Sequence, residues 1–113
     1  MSKGKGSVDR PLKKSEYSLQ YGTREAEKGW RDLVATQRNA VVDAWDFLTK
    51  TPLERTASNY PLRDDLATVT RQGRVFEQWQ HKVSGGARLW FYVEGRTVVL
   101  VQCHTRHPNE TKI

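Results

Sequence analysis

At 113 residues with a formal net charge of +6, the chain has room for one two-layer domain and no more. Its single cysteine excludes an intrachain disulfide and fits a reducing compartment. No apolar run approaches the roughly twenty residues of a membrane span, and Met1-Ser2-Lys3-Gly4-Lys5-Gly6 lacks the apolar core of a secretory signal, so no membrane partner is expected and the expected location is the cytoplasm.

The charge is unevenly spread. Residues 1–14 carry five Lys/Arg against one Asp, residues 15–70 seven against nine acidic, and residues 71–113 seven against three. A basic tail and a basic C-terminal third therefore flank a mildly acidic middle, which favours an anionic partner for the C-terminal third. Residues 1–14, rich in Lys, Gly and Ser, read as a disordered basic tail, and 15–113 as a single domain.

In chain order, Tyr17, Leu19 and Tyr21 alternate with polar residues, the period of a half-buried strand. Gly22 ends it, and Thr23 is placed to cap a helix whose first turn holds Glu25 and Glu27. Ala26, Trp30, Leu33 and Val34 fall on one helical face, as do Val41, Ala44, Trp45 and Leu48 after a break around Gln37–Asn39. Thr51-Pro52 stops the second helix. The result is a helical hairpin with Trp30 and Trp45 as its packing anchors. Residues 53–72 read as irregular, with a turn at Asn59-Tyr60-Pro61.

Three strands follow, about 74–83, 88–93 and 97–104. Ser84-Gly85-Gly86-Ala87 and Glu94-Gly95-Arg96 connect them as hairpins. The fold class is α+β: an N-terminal strand and helical hairpin packed on an antiparallel sheet of about four strands. If Gly85-Gly86 is a two-residue loop, His81 faces Trp90 and Val83 faces Arg88. One sheet face then gathers Trp79, His81, Arg88, Trp90 and Tyr92, and the other Leu89, Phe91, Val93, Val98 and Leu100. One extra residue in that loop exchanges His81 for Lys82.

All three histidines (His81, His104 and His107) lie in this last third, among Lys82, Arg88, Arg96, Arg106 and Lys112. Imidazoles beside cations are suited to acid–base chemistry on phosphates. Trp90 and Tyr92 could stack bases on the same face. Cys103-His104-Thr105-Arg106-His107 holds one cysteine and two histidines, short of a structural zinc set, so neither metal nor other cofactor is expected.

The order of elements, with Arg24-Glu25-Ala26-Glu27-Lys28-Gly29-Trp30 in the first helix, Gly86-Ala87-Arg88-Leu89-Trp90-Phe91-Tyr92-Val93 in a strand, and Val98-Val99-Leu100-Val101 before a cationic end, resembles the RelE/ParE superfamily of bacterial type II toxins. The resemblance spans about residues 15–112. It implies a toxin neutralised by a cognate antitoxin in a toxin–antitoxin hetero-oligomer. RelE-like members cut mRNA, commonly on the ribosome, without a metal: the ribose 2′-hydroxyl attacks the neighbouring phosphate. The resemblance gives Arg88 the role of phosphate clamp. It puts His107 or Arg106 where the family carries a cationic or imidazole residue after the last strand, and His81 or Lys82 where it carries basic residues on the preceding strand. His107, assisted by His81 or His104, is expected to move the protons. RNA contacts are expected from Lys82, Arg106, Trp90, Tyr92 and Lys112. Two departures stand out: histidines replace some family lysines, and no tyrosine ends the chain. Two other functions fit the same fold, a ParE-like gyrase-poisoning toxin without nuclease activity and a non-catalytic RNA-binding protein.

Overall fold

The structure is a computed structural model and describes residues 8–108. It is built as strand β1 (Ser18–Tyr21), helices α1 (Arg24–Thr36) and α2 (Arg38–Lys50), then strands β2 (Asn59–Pro61), β3 (Thr68–Arg71), β4 (Arg74–Glu77), β5 (Trp79–Lys82), β6 (Arg88–Glu94) and β7 (Thr97–His104). Five strands form one sheet in the order β1-β7-β6-β5-β2, and β3-β4 form a separate hairpin. The α+β class and the helical hairpin on a sheet are as expected. The sheet differs in being mixed: β1 runs parallel to β7, and the remaining pairs are antiparallel.

Local chemistry explains the elements. Thr23 caps α1 by accepting from the Ala26 amide at 2.9 Å, and its own hydroxyl donates to the Val101 carbonyl at 2.7 Å. One side chain thus starts the helix and ties it to β7. The helices bury Ala26, Leu33, Val41, Ala44 and Leu48 against Ala87, Leu89, Phe91, Val98, Leu100 and Cys103. Each large apolar side chain so buried contributes roughly 1.5–3 kcal/mol. Trp30 and Trp45, expected as anchors, are only half-buried. They flank the core and line a groove with Leu19, Gln20, Tyr21 and Leu100.

Of the expected tail, residues 8–14 are described. Arg10 pairs with Glu16 at 2.9 Å and lies 5.5 Å from the centre of the Trp45 ring. That hydrogen bond, with another from the Lys13 amide, holds the Glu16 carboxyl below its ordinary pKa.

The region expected to be irregular contains β2 and β3. β2 is short and includes Pro61, which suits an edge strand because proline cannot donate to a ladder. The expected single strand 74–83 divides at Gln78. Its amide donates to Ala67 O and its carbonyl accepts from Leu62 N, while its side-chain amide donates to Leu66 O at 2.9 Å. With those groups bonded sideways, β4 leaves the main sheet and pairs with β3.

A bulge in β7 shapes the site. Trp90 pairs with Gln102 but Phe91 pairs with Leu100, leaving Val101 as the extra residue. Leu100 and Cys103 are three residues apart, an odd spacing that simple alternation would send to opposite faces. The bulge puts both in the core, and with them returns Gln102 and His104 to the open face.

Candidate functional site

The face of the sheet turned away from the helices is organised in cross-strand rows. Lys82 of β5 pairs with Arg88 of β6, which pairs with His104 of β7. Residues directly opposite have Cβ atoms about 4.5–5.5 Å apart, so two cations and an imidazole stand side by side. The β5–β6 connection sets this row. Val83 N donates to Ala87 O at 3.1 Å and Ala87 N to Ser84 O at 2.9 Å, with Gly85 at φ +53°. The loop is therefore the three residues 84–86, one longer than a two-residue Gly85-Gly86 turn and the longer of the two alternatives the sequence left open.

That one residue corrects the face assignment. His81 pairs with Leu89, not Trp90, and points to the helix side, so it does not join Arg88. Its Nδ1 is 3.1 Å from Asn59 Oδ1 and its ring centre 5.0 Å from that of Phe47. Asn59 Nδ2 already donates to Pro52 O and Glu54 O, both at 2.9 Å. The Asn59 oxygen must therefore face His81, and the imidazole carries its proton on Nδ1. Burial pushes the His81 pKa down to about 4. His81 is a neutral core residue.

Arg88 is only 8 % exposed. Its Nη1 donates to the carbonyls of Gly85 at 2.9 Å and Ala87 at 3.0 Å. Its Nε is buried and has no hydrogen-bond partner among the described residues. Glu77, a conceivable partner, accepts instead from Trp79 Nε1 at 2.9 Å. Among the described residues the ion pairs are Arg10–Glu16, Arg31–Glu27 and Arg74–Glu94, so the Arg88 charge faces no carboxylate there. A buried cation held by backbone carbonyls, without a counter-ion, is costly unless an anion completes it.

The chain beyond β7 comes back to this place. A Cβ on Gly86 would lie 2.6 Å from the His107 amide nitrogen, which locates His107 against the turn just before Arg88. His107, Arg106 and Lys82 are exposed, and His104 is half-buried. The structure thus brings together Arg88, Lys82, His104 and His107. Lys112 lies outside the described residues.

Trp90 and Tyr92 do lie on this face, but neither offers a free ring for a base. Tyr92 is stacked on Phe76 of the β3–β4 hairpin with ring centres 4.4 Å apart. Trp90 is buried, donates its Nε1 to Gln80 Oε1 at 2.9 Å and meets the His104 ring at 4.3 Å and 70°. The sequence reading missed Asn59, Tyr60 and Gln80. Asn59-Tyr60-Pro61 was visible only as turn punctuation, whereas as β2 it sends Asn59 to His81 and Tyr60 under Lys82, whose Nζ lies 5.7 Å from the Tyr60 ring centre. Cys103, next to His104, faces the helices, and burial pushes its thiol up to about 12, which leaves it inert. Among the described residues no three His, Cys, Asp or Glu side chains cluster to hold a metal, and no helix is long and apolar enough to cross a membrane.

This mixed sheet under a helical hairpin is the fold of the RelE/ParE-type toxins. The YoeB/ParE toxin from Agrobacterium tumefaciens superposes with a TM-score of 0.57 at 18% identity, covering 77% of this chain and 95% of that one. The YoeB dimer from Staphylococcus aureus gives 0.58 at 12% identity over 80% and 97%. YoeB in its heterotetrameric toxin–antitoxin complex with YefM, from the same organism, gives 0.57 at 10% identity over 80% and 97%. No family model and no curated protein sequence matches the chain.

Proposed function

We propose that this protein is the toxin of a type II toxin–antitoxin pair, an endoribonuclease that cleaves mRNA in the cytoplasm, on the ribosome, by metal-independent transesterification. The observation that carries the reading is Arg88: a nearly buried guanidinium without a carboxylate among the described residues, flanked across the sheet by Lys82 and His104. The likeness to the YoeB–YefM complex supports an antitoxin as the protein partner.

In this reaction the 2′-oxygen attacks the adjacent phosphorus while a base takes its proton. The bond from phosphorus to O5′ breaks and an acid protonates O5′, leaving a 2′,3′-cyclic phosphate and a 5′-hydroxyl. Arg88 holds the non-bridging oxygens as negative charge builds on them, and Lys82 adds a second positive charge beside it. His104 and His107 are the two imidazoles at hand for the proton transfers. His81 takes no part, because it lies on the other face of the sheet. Exposed Arg106, with Lys82, guides the RNA backbone.

The test is induction in cells followed by primer extension on total mRNA. Discrete new 5′ ends support the reading. Intact RNA with double-strand DNA breaks would replace it with gyrase poisoning, and neither change would leave a non-catalytic RNA-binding protein.

A further inference from the structure

Behind the Lys82–Arg88–His104 row runs a second row on the same face, Tyr60 of β2, Gln80 of β5 and Trp90 of β6. Gln80 is 2 % exposed and bonded at both ends of its carboxamide. Its Nε2 donates to Tyr60 Oη at 2.8 Å and its Oε1 accepts from Trp90 Nε1 at 2.9 Å. The order of these bonds is forced. An indole nitrogen can only donate, so Oε1 must face Trp90, Nε2 must face Tyr60, and the tyrosine oxygen must accept. Trp90, held this way, sets its ring against the His104 imidazole, 4.3 Å away and inclined by 70°.

A leucine or methionine at position 80 would fill the same space without the cost of burying an amide. The amide does what an apolar side chain cannot: it fixes the rotation of the indole. We propose that Gln80 is a positioning residue, which through Trp90 sets the orientation of the His104 ring for proton transfer, with Tyr60 anchoring the far end. This rests on the reading of His104 as a proton-transfer group. A ring turned out of line loses rate without losing substrate, since the phosphate is held separately by Arg88.

The experiment uses the full chain. The ring nitrogens of His104 are followed by ¹⁵N-edited NMR, assigned against His104→Gln, and single-turnover cleavage is measured over a range of RNA concentrations. Gln80→Met should shift and broaden the His104 ring signals and lower the maximal rate by up to about 100-fold, with the half-saturating RNA concentration unchanged. Gln80→Glu, which keeps an acceptor for Trp90, should recover most of the rate. Tyr60→Phe is the gentler variant in case Gln80→Met does not fold, and should move both readouts the same way by less. Unchanged His104 ring signals in Gln80→Met and Tyr60→Phe overturn the proposal even if cleavage falls. Wild-type cleavage by His104→Ala instead overturns the proton-transfer role of His104, while the ring signals still decide whether Gln80 orients it.

Discussion

Gly29 of α1 lies directly against Cys103 of β7: a Cβ added to the glycine would sit 2.8 Å from the cysteine Cβ, with the Cys103 carbonyl closer still. The neighbours on the β7 side are backbone and Cβ, which cannot swing away. Gly29→Ala gains about 1 kcal/mol of helix propensity, but overpacking of this kind costs about 1–3 kcal/mol or more, so the clash wins. The variant should have a lower urea midpoint than wild type. It should also perturb His104, the next residue along β7, and a raised midpoint would show that α1 and β7 are less tightly apposed.

Leu48 and Trp45 separate what is buried from what is merely large. Leu48 is fully buried and Trp45 half-exposed under Arg10. Leu48→Ala should cost about 2–5 kcal/mol, and Trp45→Ala clearly less than the roughly 3–5 kcal/mol of a core tryptophan. Denaturant titration of the two variants checks the order. Equal or reversed losses would return Trp45 to the core.

His81 should make stability depend on pH. Its folded pKa of about 4 lies below the value of about 6.5 in an unfolded chain, so the unfolded state binds the proton more readily. The stabilisation is complete above about pH 6.5, falls as the pH drops, and is gone below the folded value. The loss over that window is on the order of 3 kcal/mol. Unfolding midpoints measured from pH 7 to pH 4 should decline for wild type and decline less for His81→Gln. Parallel curves would mean that His81 is not buried as a neutral donor to Asn59.

The open face should respond differently. Arg88→Ala, His104→Ala and His107→Ala should each lower single-turnover RNA cleavage, by about 10²–10⁴-fold where a proton-transfer group is removed. Arg88→Lys should not restore activity, because one ammonium cannot reproduce the planar fork that grips a phosphate. His81→Gln, where folded, should cleave at the wild-type rate. If His104→Ala and His107→Ala both cut normally, arginine and lysine alone must carry the reaction.

An acidic antitoxin should bind this protein. Exposed cations such as Lys82 and Arg106 would speed its approach, so added salt should slow association more than it loosens the finished complex. Stopped-flow association and equilibrium titration over a range of salt concentrations compare the two. A rate indifferent to salt would place the docking surface elsewhere.

Much of this molecule is written in local chemistry. The period of the apolar residues determines the helices, Thr23 starts α1, Pro52 follows the end of α2, and the alternation from Leu89 to Leu100 marks the core side of β6 and β7. Charge counting alone located the basic third of the chain. Long-range pairing decided the rest. Three-residue Asn59–Pro61 has too little pattern to read as a strand, and becomes β2 only because β5 presents an edge to it. The division at Gln78 and the parallel placement of β1 likewise arise from partners distant in sequence. The choice between His81 and Lys82 shows the reason most clearly. Side chains alternate with a period of two along a strand, so one additional residue in the Ser84–Gly86 loop sends His81 into the core and Lys82 beside Arg88. Composition determined that imidazoles and cations share this sheet; only the register decided which of them share a face.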